Sequence, residues 1–315
     1  MDRVDAMTTL VAAVDAGSLS GASRALGMPL ATVSRKVSDL ETHLRTQLLI
    51  RSSRRLTLTQ AGEAFVASAR RILEELDAAE RAASGEYRAP RGHLNITAPI
   101  MFGRLHVAPV VLDFLKVYPE ISVRLTLADT VLNLVDDHVD VAVRIGNLPD
   151  SRLMALRLGE IGWVVCASPG YLADRGAPET PDALAHHDCI MFEGLYSTSS
   201  WTFGRERQLR DIFVRPRFSV NSADTAIAAA VSGAGVTRVL SYQVVDLLAQ
   251  GALTRILRTF EPAPLPVHLV YAGQSLLPLK LRAFLDFAGP RLRSALVGIA
   301  GEPSGNFVFE RLESG

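Results

Sequence analysis

Basic side chains cluster between residues 24 and 55, and this cluster has the clearest capacity for chemistry in the sequence. The stretch holds two acidic residues, Asp39 and Glu41, against seven basic ones, a net charge of +5. The basic residues are Arg24, Arg35, Lys36, Arg45, Arg51, Arg54 and Arg55. Guanidinium and ammonium groups bind phosphates, and phosphate neutralisation dominates the affinity of proteins for DNA. The cluster therefore predicts a phosphate-binding surface.

Three predicted helices would position this cluster. Apolar residues recur at helical intervals in residues 2–15, 18–26 and 29–44. Gly17 and Gly27 follow the first two segments, where a left-handed glycine commonly ends a helix. Short helices joined by a glycine turn are typical of a helix-turn-helix.

The third predicted helix would present Arg35 to a partner. Its apolar stripe consists of Val33, Val37, Leu40 and Leu44. A step of about 100° per residue places Ala31, Arg35 and Ser38 away from that stripe. Residues 47–50 and 56–59 read as two short strands around a basic β-wing. A solvated helical bundle with a polar loop is the alternative, but the concentrated positive charge favours DNA binding.

Three ungapped runs within the first 62 residues carry a more specific pattern. They read GSLSGASRALG from residue 17, ATVSRKVSDLE from residue 31 and LLIRSSRRLTLTQAG from residue 48. This pattern closely resembles that of LysR-type transcriptional regulators. The resemblance implies an N-terminal all-α winged helix-turn-helix at residues 1–60, with the helix-turn-helix at 18–37 and the recognition helix at 29–44.

The resemblance also implies which residues contact DNA. It assigns Thr32, Ser34, Arg35 and Lys36 on the recognition helix and Arg54 and Arg55 on the wing. The full candidate set for binding double-stranded promoter or operator DNA is Ser18, Ser20, Arg24, Thr32, Ser34, Arg35, Lys36, Arg51, Arg54 and Arg55. One position departs from the family pattern: Pro29 stands where many relatives carry serine. The side-chain cap of that helix is therefore missing, and base contacts at this position are not transferred.

A linker helix is predicted after the wing, over residues 61–88. Its seam residues follow one another at spacings of 4, 3, 4, 3 and 4, as in a coiled coil. They are Phe65, Ala69, Ile72, Leu76, Ala79 and Ala83. Packing of this helix against its own domain is the alternative. The resemblance implies pairing through this helix, hence a homodimer, with a tetramer as a further option and a dyad-symmetric DNA site.

Residues 89–293 alternate between predicted strands and helices. The strands are 93–98, 121–128, 139–145, 163–168, 189–192, 213–220, 236–240 and 267–271. The helices are 102–118, 131–136, 224–232, one ending at 250 and a closing helix to about 293. Such alternation indicates an α/β fold with a parallel sheet. The resemblance implies two Rossmann-like subdomains like those of a periplasmic binding protein, residues 93–162 with 265–293 and residues 163–264.

A small-molecule effector is expected between these subdomains, because ligands of open α/β sheets bind beyond the carboxyl ends of strands. The candidate residues are Ala98, Pro99, Met101, Phe102, Asp129, Thr130, Arg144, Gly146, Asn221 and Asp224. Arg144 could hold a carboxylate. Each position has a structural alternative: Thr130 and Asp224 as helix caps, Gly146 as a turn, and Met101 with Phe102 as core. The tail, 294–315, suits either an edge strand or a flexible end.

Several function classes are disfavoured. The chain has no nucleophile elbow, phosphate loop, dinucleotide fingerprint or zinc-protease motif, so no enzyme activity and no cofactor are expected. No metal site is expected at His186, His187, Asp188 and Cys189, because consecutive residues rarely converge on one metal ion. No apolar segment reaches the roughly 20 residues of a membrane helix, so a cytoplasmic protein is expected. Cys166 and Cys189 are expected to be buried, reduced thiols.

The formal net charge of zero conceals two unlike parts. Residues 1–60 hold eight basic and five acidic residues, a net of +3, and residues 61–315 hold 25 and 28, a net of −3. A basic DNA-reading head and an acidic sensor predict a ligand-responsive transcription factor. The alternative is a small-molecule-binding protein whose helical head only dimerises, and an enzyme is a distant third.

Overall fold

The computed structural model divides the chain into two compact units, residues 1–92 and 93–315. It describes residues 1–51, 56–84, 89–130, 134, 137, 139–148, 153–193, 200–204, 208–273 and 277–300. The predicted helix at 131–136 falls almost wholly outside these residues, as does the tail beyond residue 300. The two units are described separately.

The first unit begins with three helices, as the sequence predicts. They are α1 (Arg3–Asp15), α2 (Leu19–Leu26) and α3 (Leu30–Leu44). Asp2 caps α1 by accepting hydrogen bonds from backbone N–H groups, and Ser18 caps α2 in the same way. Gly27 ends α2 in the left-handed conformation, at φ 62°. Local capping chemistry therefore fixes these boundaries.

A two-stranded wing and a long helix complete the first unit. Strands β1 (Leu49–Arg51) and β2 (Leu56–Leu58) pair antiparallel, and α4 (Gln60–Ser84) follows. Helix α4 begins five residues before the predicted seam, because the Thr59 hydroxyl accepts a hydrogen bond from the Gly62 backbone N–H. A Cβ at Gly62 would lie 2.1 Å from the Leu48 carbonyl oxygen, so glycine lets α4 pack closely against the wing.

The second unit contains a first sheet with the strand order β4-β3-β5-β14-β6. Its strands are β3 (Gly92–Ala98), β4 (Ile121–Leu127), β5 (Val141–Ile145), β6 (Leu153–Ile161) and β14 (Leu265–Ala272). Strands β3 and β5 are parallel, but β14 runs antiparallel to both β5 and β6. The expectation of a parallel sheet is therefore wrong for this edge. The chain returns from the second sheet through β14 in the opposite direction, and β6 was not predicted.

A second sheet has the order β11-β8-β12-β7-β13. Its strands are β7 (Trp163–Ala167), β8 (Cys189–Phe192), β11 (Pro216–Val220), β12 (Val236–Leu240) and β13 (Thr254–Ile256). Strands β8, β11 and β12 are parallel, whereas β7 and β13 run antiparallel to their neighbours. This sheet is mixed as well, so the parallel expectation again holds for part of it.

The predicted strand at 213–220 is two strands. Strand β10 (Arg210–Phe213) pairs with β9 (Ser200–Phe203) in a separate hairpin, while β11 belongs to the second sheet. Pro216 stands at the break, and proline both lacks the N–H of a strand ladder and restricts the residue before it. The apolar pattern alone concealed this interruption.

Helices cover the sheets. The first sheet carries α5 (Ile100–Phe102), a π-helical turn (Gly103–Val107), α6 (Ala108–Val117) and α10 (Leu279–Ala300), and the second carries α7 (Pro169–Arg175), α8 (Ala223–Val231) and α9 (Val245–Ala249). Phe114 and Phe284 join α6 to α10 with ring centroids 5.2 Å apart. Helix α10 continues to Ala300, seven residues past its predicted end. Among the described helices, none is long and apolar enough to cross a membrane.

Candidate nucleic-acid interface and effector site

The outer face of α3 carries Ala31 and Arg35, both exposed. Val33, Val37 and Leu40 are buried on the opposite side, so the predicted orientation is confirmed for Ala31 and Arg35. Ser38, which was also predicted to face away from the stripe, is half-buried. Thr32 and Ser34 are half-buried at the flanks of that outer face. Pro29 is the N-cap residue and makes no side-chain capping hydrogen bond, as expected from the sequence. The exposed guanidinium of Arg35 is therefore held on a rigid, well-packed helix.

The candidate residues of α2 divide between structure and surface. The Ser18 hydroxyl accepts a hydrogen bond from the Gly21 N–H at 3.0 Å, which gives it a capping role. The Ser20 hydroxyl donates to the Ser18 oxygen at 3.3 Å, and Ser20 is exposed. Arg24 is exposed in the last turn of the helix. Ser20 and Arg24 thus remain accessible to a partner.

Lys36 differs from its neighbour Arg35 because its half-buried ammonium group is paired with an acidic residue of the first unit. Its Nζ lies 2.5 Å from one carboxylate oxygen of Asp5 and 3.3 Å from the Met28 sulfur. No local sequence pattern reveals this contact, because Asp5 lies on α1, 31 residues earlier.

The wing is joined to α3 through Glu41. Its Oε1 accepts hydrogen bonds from the backbone N–H groups of Leu48 and Leu49, at 2.8 and 2.9 Å. Sequence reasoning counted Glu41 as an acidic residue only, and no local pattern revealed this role. The backbone of Arg51 lies in β1, but its side chain, Arg54 and Arg55 lie outside the described part of the chain.

The predicted seam of α4 divides into two parts. Ala69 is buried and Phe65 is half-buried against the core of the first unit, which is the alternative considered for this helix. Ile72 and Leu76 are 48% and 37% exposed. The seam residues Ala79 and Ala83 have side chains outside the described set. The part of the seam available to a second chain therefore begins at Ile72.

In the second unit, segments that follow strands of the two sheets meet. Arg104 lies in the π-helical turn after β3, and its Nη2 is 2.6 Å from Oδ1 of Asp224 in the first turn of α8. Phe102 contacts Tyr242, which follows β12, with ring centroids 5.3 Å apart. The carboxyl ends of strands β3, β11 and β12 therefore face one another, as expected for an effector site.

The residues predicted around β3 are brought together. Ala98, Met101 and Phe102 are buried, and Pro99 is half-buried. The Asp129 carboxylate accepts a hydrogen bond from the Ile100 N–H at 3.0 Å, so it caps the helix that follows β3. The burial of Met101 and Phe102 agrees with the alternative for these two residues, which is packing in the core.

The other predicted effector residues are placed differently. Thr130 and Asn221 are exposed. Arg144 faces His268 across strands β5 and β14, and the Gly146 N–H donates to the Pro266 carbonyl oxygen at 2.7 Å. Asp224 does not cap α8, because Ser222 does so by accepting from the Thr225 N–H.

Sequence reasoning missed Arg104, His106 and Tyr242. A π-helical turn has no simple sequence signal, so the side chains that it directs towards the second sheet could not be identified. The His106 ring packs 4.9 Å from Phe102 and 5.8 Å from Tyr242. Its Nε2 is buried without a hydrogen-bond partner among the described residues, and burial lowers the pKa of His106.

The two cysteines are buried, as predicted. Cys166 lies on β7 and Cys189 on β8, and β12 separates these strands. Burial raises the pKa of each thiol to about 12, so both stay protonated near neutral pH. Within the described ranges, no group of three or more His, Cys, Asp or Glu side chains could hold a metal ion.

Family models match most of the chain. Residues 4–63 match the model described as "Bacterial regulatory helix-turn-helix protein, lysR family", and residues 88–293 match "LysR substrate binding domain". An HTH-type transcriptional repressor of Pseudomonas aeruginosa is 35% identical over 298 residues, covering 91% of each chain. The regulator CrgA of Neisseria meningitidis is 33% identical over 294 residues, covering 93% of this chain and 98% of CrgA.

Solved structures show the same similarity. The CrgA structure covers 91% of this chain and 98% of its own, with a TM-score of 0.59 and 32% identity. The full-length virulence activator AphB of Vibrio cholerae gives a TM-score of 0.58 and 28% identity, again covering 91% of this chain and 98% of its own.

Proposed function

The chain belongs to the LysR family of transcriptional regulators, and from this premise we propose how its residues bind DNA and an effector. It is a regulator with a helix-turn-helix region and an effector-binding domain. In this proposal residues 1–60 bind DNA, residues 61–88 pair two chains, and residues 89–293 bind the small molecule. The protein acts in the cytoplasm as a homodimer and catalyses no reaction.

The observation that carries the DNA-binding proposal is the position of Arg35. An exposed guanidinium stands on the outer face of α3 while the opposite stripe is buried, so it can enter a groove without unpacking the domain. Arginine binds guanine edges and phosphates through paired donors. Ser20, Arg24, Thr32 and Ser34 would surround this contact, and Arg51, Arg54 and Arg55 would bind the flanking backbone.

The effector would act at the contact between the two subdomains. Arg104 and Asp224 come from helices that follow strands of different sheets, so a ligand that binds there with different affinity in the two arrangements shifts their populations. Pro99, Asp129, Thr130, Asn221 and Asp224 would line the accessible part. We propose that this shift changes the geometry of the paired α4 helices and hence the spacing of the DNA-binding heads.

DNA affinity measured against salt concentration tests the proposal. The probes are DNA fragments from upstream of the protein's own and neighbouring genes and scrambled duplexes of equal composition. We expect tighter binding to at least one natural fragment, and a slope of log affinity against log salt that is shallower by about 0.9 for each phosphate contact removed. Arg35→Ala and the Arg54→Ala/Arg55→Ala double variant should each bind DNA more weakly and show this shallower slope.

Arg217→Ala supplies the control, because it removes the same charge from an exposed site in the second unit. Its slope should match that of the wild type. Equal affinity for natural and scrambled DNA, with unchanged slopes in all variants, would instead favour a small-molecule-binding protein whose helical head only dimerises.

A further inference from the structure

Lys36 is turned away from the outer face of α3, although it directly follows Arg35. Its Nζ lies 2.5 and 2.7 Å from the two carboxylate oxygens of Asp5, and its side chain is 22% exposed. Arg35 is exposed and belongs to the outer face. One step along a helix rotates a side chain by about 100°, and this rotation separates the surroundings of the two cations.

The Lys36 ammonium group links α3 to α1 and to the turn between α2 and α3. Asp5 belongs to α1, and Met28, whose sulfur is 3.3 Å from Nζ, belongs to the turn before α3. The Ser23 hydroxyl of α2 donates to the Met28 carbonyl oxygen at 2.6 Å. Lys36 is thereby connected directly to α1 and, through Met28, to the end of α2.

The ion pair also changes what Lys36 can contribute to DNA binding. Its charge is already compensated by Asp5, so contact with a phosphate would require the ammonium to leave both the carboxylate and the sulfur. A phosphate contact that first breaks this ion pair gains less net affinity, because the free energy of the pair is lost. Arg35 has no such competing contact among the described residues, and it can meet DNA without rearrangement.

We propose that Lys36 is a positioning residue, which holds α3 against α1 through Asp5 and does not itself bind a DNA phosphate. This inference rests on the proposed role of α3 in reading DNA. It implies that Asp5 supports DNA recognition, although an acidic residue close to DNA would ordinarily oppose binding. Loss of the pair would let α3 shift, and the side chains that read bases would lose their alignment before the phosphate contacts do.

Three variants separate positioning from phosphate binding. Lys36→Met keeps the aliphatic stem and removes the charge, Asp5→Asn keeps the size and removes the opposite charge, and Arg35→Met is the matched control. The measurement is the affinity of each for a preferred natural fragment and for scrambled duplex over a range of salt. The circular dichroism and melting temperature of each variant establish that it is folded.

Lys36→Met and Asp5→Asn should each lower affinity for the preferred fragment, by about two- to fivefold for a partly exposed ion pair. Their salt slopes should equal that of the wild type, and their affinity for scrambled duplex should not change. The double variant should be no weaker than either single variant, because both remove one interaction. Arg35→Met should reduce the slope by about one, and Lys36→Arg should restore most of the specific affinity.

The opposite pattern would overturn the proposal. If Lys36 binds a phosphate, Lys36→Met reduces the slope by about one on both duplexes, and Asp5→Asn raises affinity because it releases the ammonium. Even if Lys36→Met does not fold, the change in DNA affinity of Asp5→Asn distinguishes the two roles. A lower affinity supports positioning by Lys36, and a higher affinity supports phosphate binding by Lys36. Equal losses on preferred and scrambled duplex in a folded variant would also overturn it, because they indicate that the pair supports binding that does not depend on sequence. A wild type without any preferred fragment would refute the DNA-binding proposal itself, and that result is distinguishable from all of these.

Discussion

Arg35 and Lys36 carry the same formal charge one position apart, and the surrounding helices give them different roles. The spacing of the α3 apolar stripe placed Arg35 correctly on the outer face. It could not place Lys36, because the partner that holds it lies 31 residues earlier on α1. Helical periodicity reports which side faces the core, whereas an ion pair between helices depends on tertiary packing that no local pattern encodes.

His106 leads to a prediction about pH. Burial lowers the pKa of His106 below its ordinary value of 6.5, and burial likewise lowers the pKa of His187 and His268. Below about pH 6.5 the unfolded chain therefore binds more protons than the folded one, so stability is present above that pH and is lost as the pH falls towards the lowered values. The melting temperature should fall between about pH 7.5 and about pH 5.5.

The variant His106→Phe should show a smaller fall over the same range. Phenylalanine preserves contacts with Phe102 and Tyr242 but cannot take up a proton. Differential scanning fluorimetry of both proteins across the pH series provides the measurement. Parallel curves for the two proteins would show that His106 does not contribute to the acid sensitivity.

At the scale of elements, the sequence predicted the structure best where local signals act alone. Strands β8 and β12 have the predicted bounds, because short apolar runs end at clear turn signals. Strand direction was not predictable in the same way, since β14 reaches the first sheet only after the second sheet has been completed. The effector site stays a prediction: Asp129 and Asp224 lie at contacts between elements, and the sequence did not reveal their partners Ile100 and Arg104.

The predicted seam of helix α4 is packed within the first unit in its first half and exposed further along the helix. The repeat predicted one apolar stripe from Phe65 to Ala83, but Phe65 and Ala69 pack within the first unit. The exposed apolar side chains of Ile72 and Leu76 are thus the described part of the stripe that a second copy could cover. Dimerisation should therefore depend on the second half of the helix.

If the chain dimerises as proposed, Ile72→Glu should convert that dimer into a monomer, because it places a charge in the centre of the proposed contact. Burying an unpaired carboxylate costs several kcal/mol. Sedimentation velocity at micromolar concentration would report the change in mass. Ala64→Glu adds the same charge at an exposed position of the same helix and should leave the dimer intact. A wild-type mass for Ile72→Glu would locate the dimer contact elsewhere.

At the scale of the whole molecule, Arg104 and Asp224 form an ion pair between two helical segments. One segment follows a strand of the first sheet, and the other follows a strand of the second. Both side chains are half-exposed, at 55% and 51%, so solvent screening limits the contribution to at most about 1 kcal/mol. Arg104→Ala and Asp224→Ala should each lower the free energy of unfolding by no more than this amount. The exchanged pair Arg104→Asp/Asp224→Arg should recover part of the loss, as measured by urea denaturation.

Lys116→Ala is the matched control for that series, because Lys116 pairs with Asp113 within one helix. It should leave the response of the second unit to effectors unchanged, whereas the Arg104 and Asp224 variants should alter it. An exchanged pair that is less stable than both single variants would show that attraction between these two charges does not hold the subdomains together.

The net charge of zero is informative once it is divided along the chain. The basic first 60 residues and the acidic remainder each depart from zero by three charges, and the family models assign them to different tasks. A net charge taken over the whole chain therefore hides the excess of basic residues in the region that matches the helix-turn-helix model.

Footprinting of the purified protein on DNA upstream of its own and neighbouring genes tests whether α3 binds a specific DNA site. We expect protection of a dyad-symmetric site whose two halves are separated by whole helical turns, because a two-fold dimer presents two recognition helices. Arg35→Ala should abolish this protection at concentrations where the wild type protects fully. Uniform, weak protection that does not depend on sequence or on Arg35 would contradict the account.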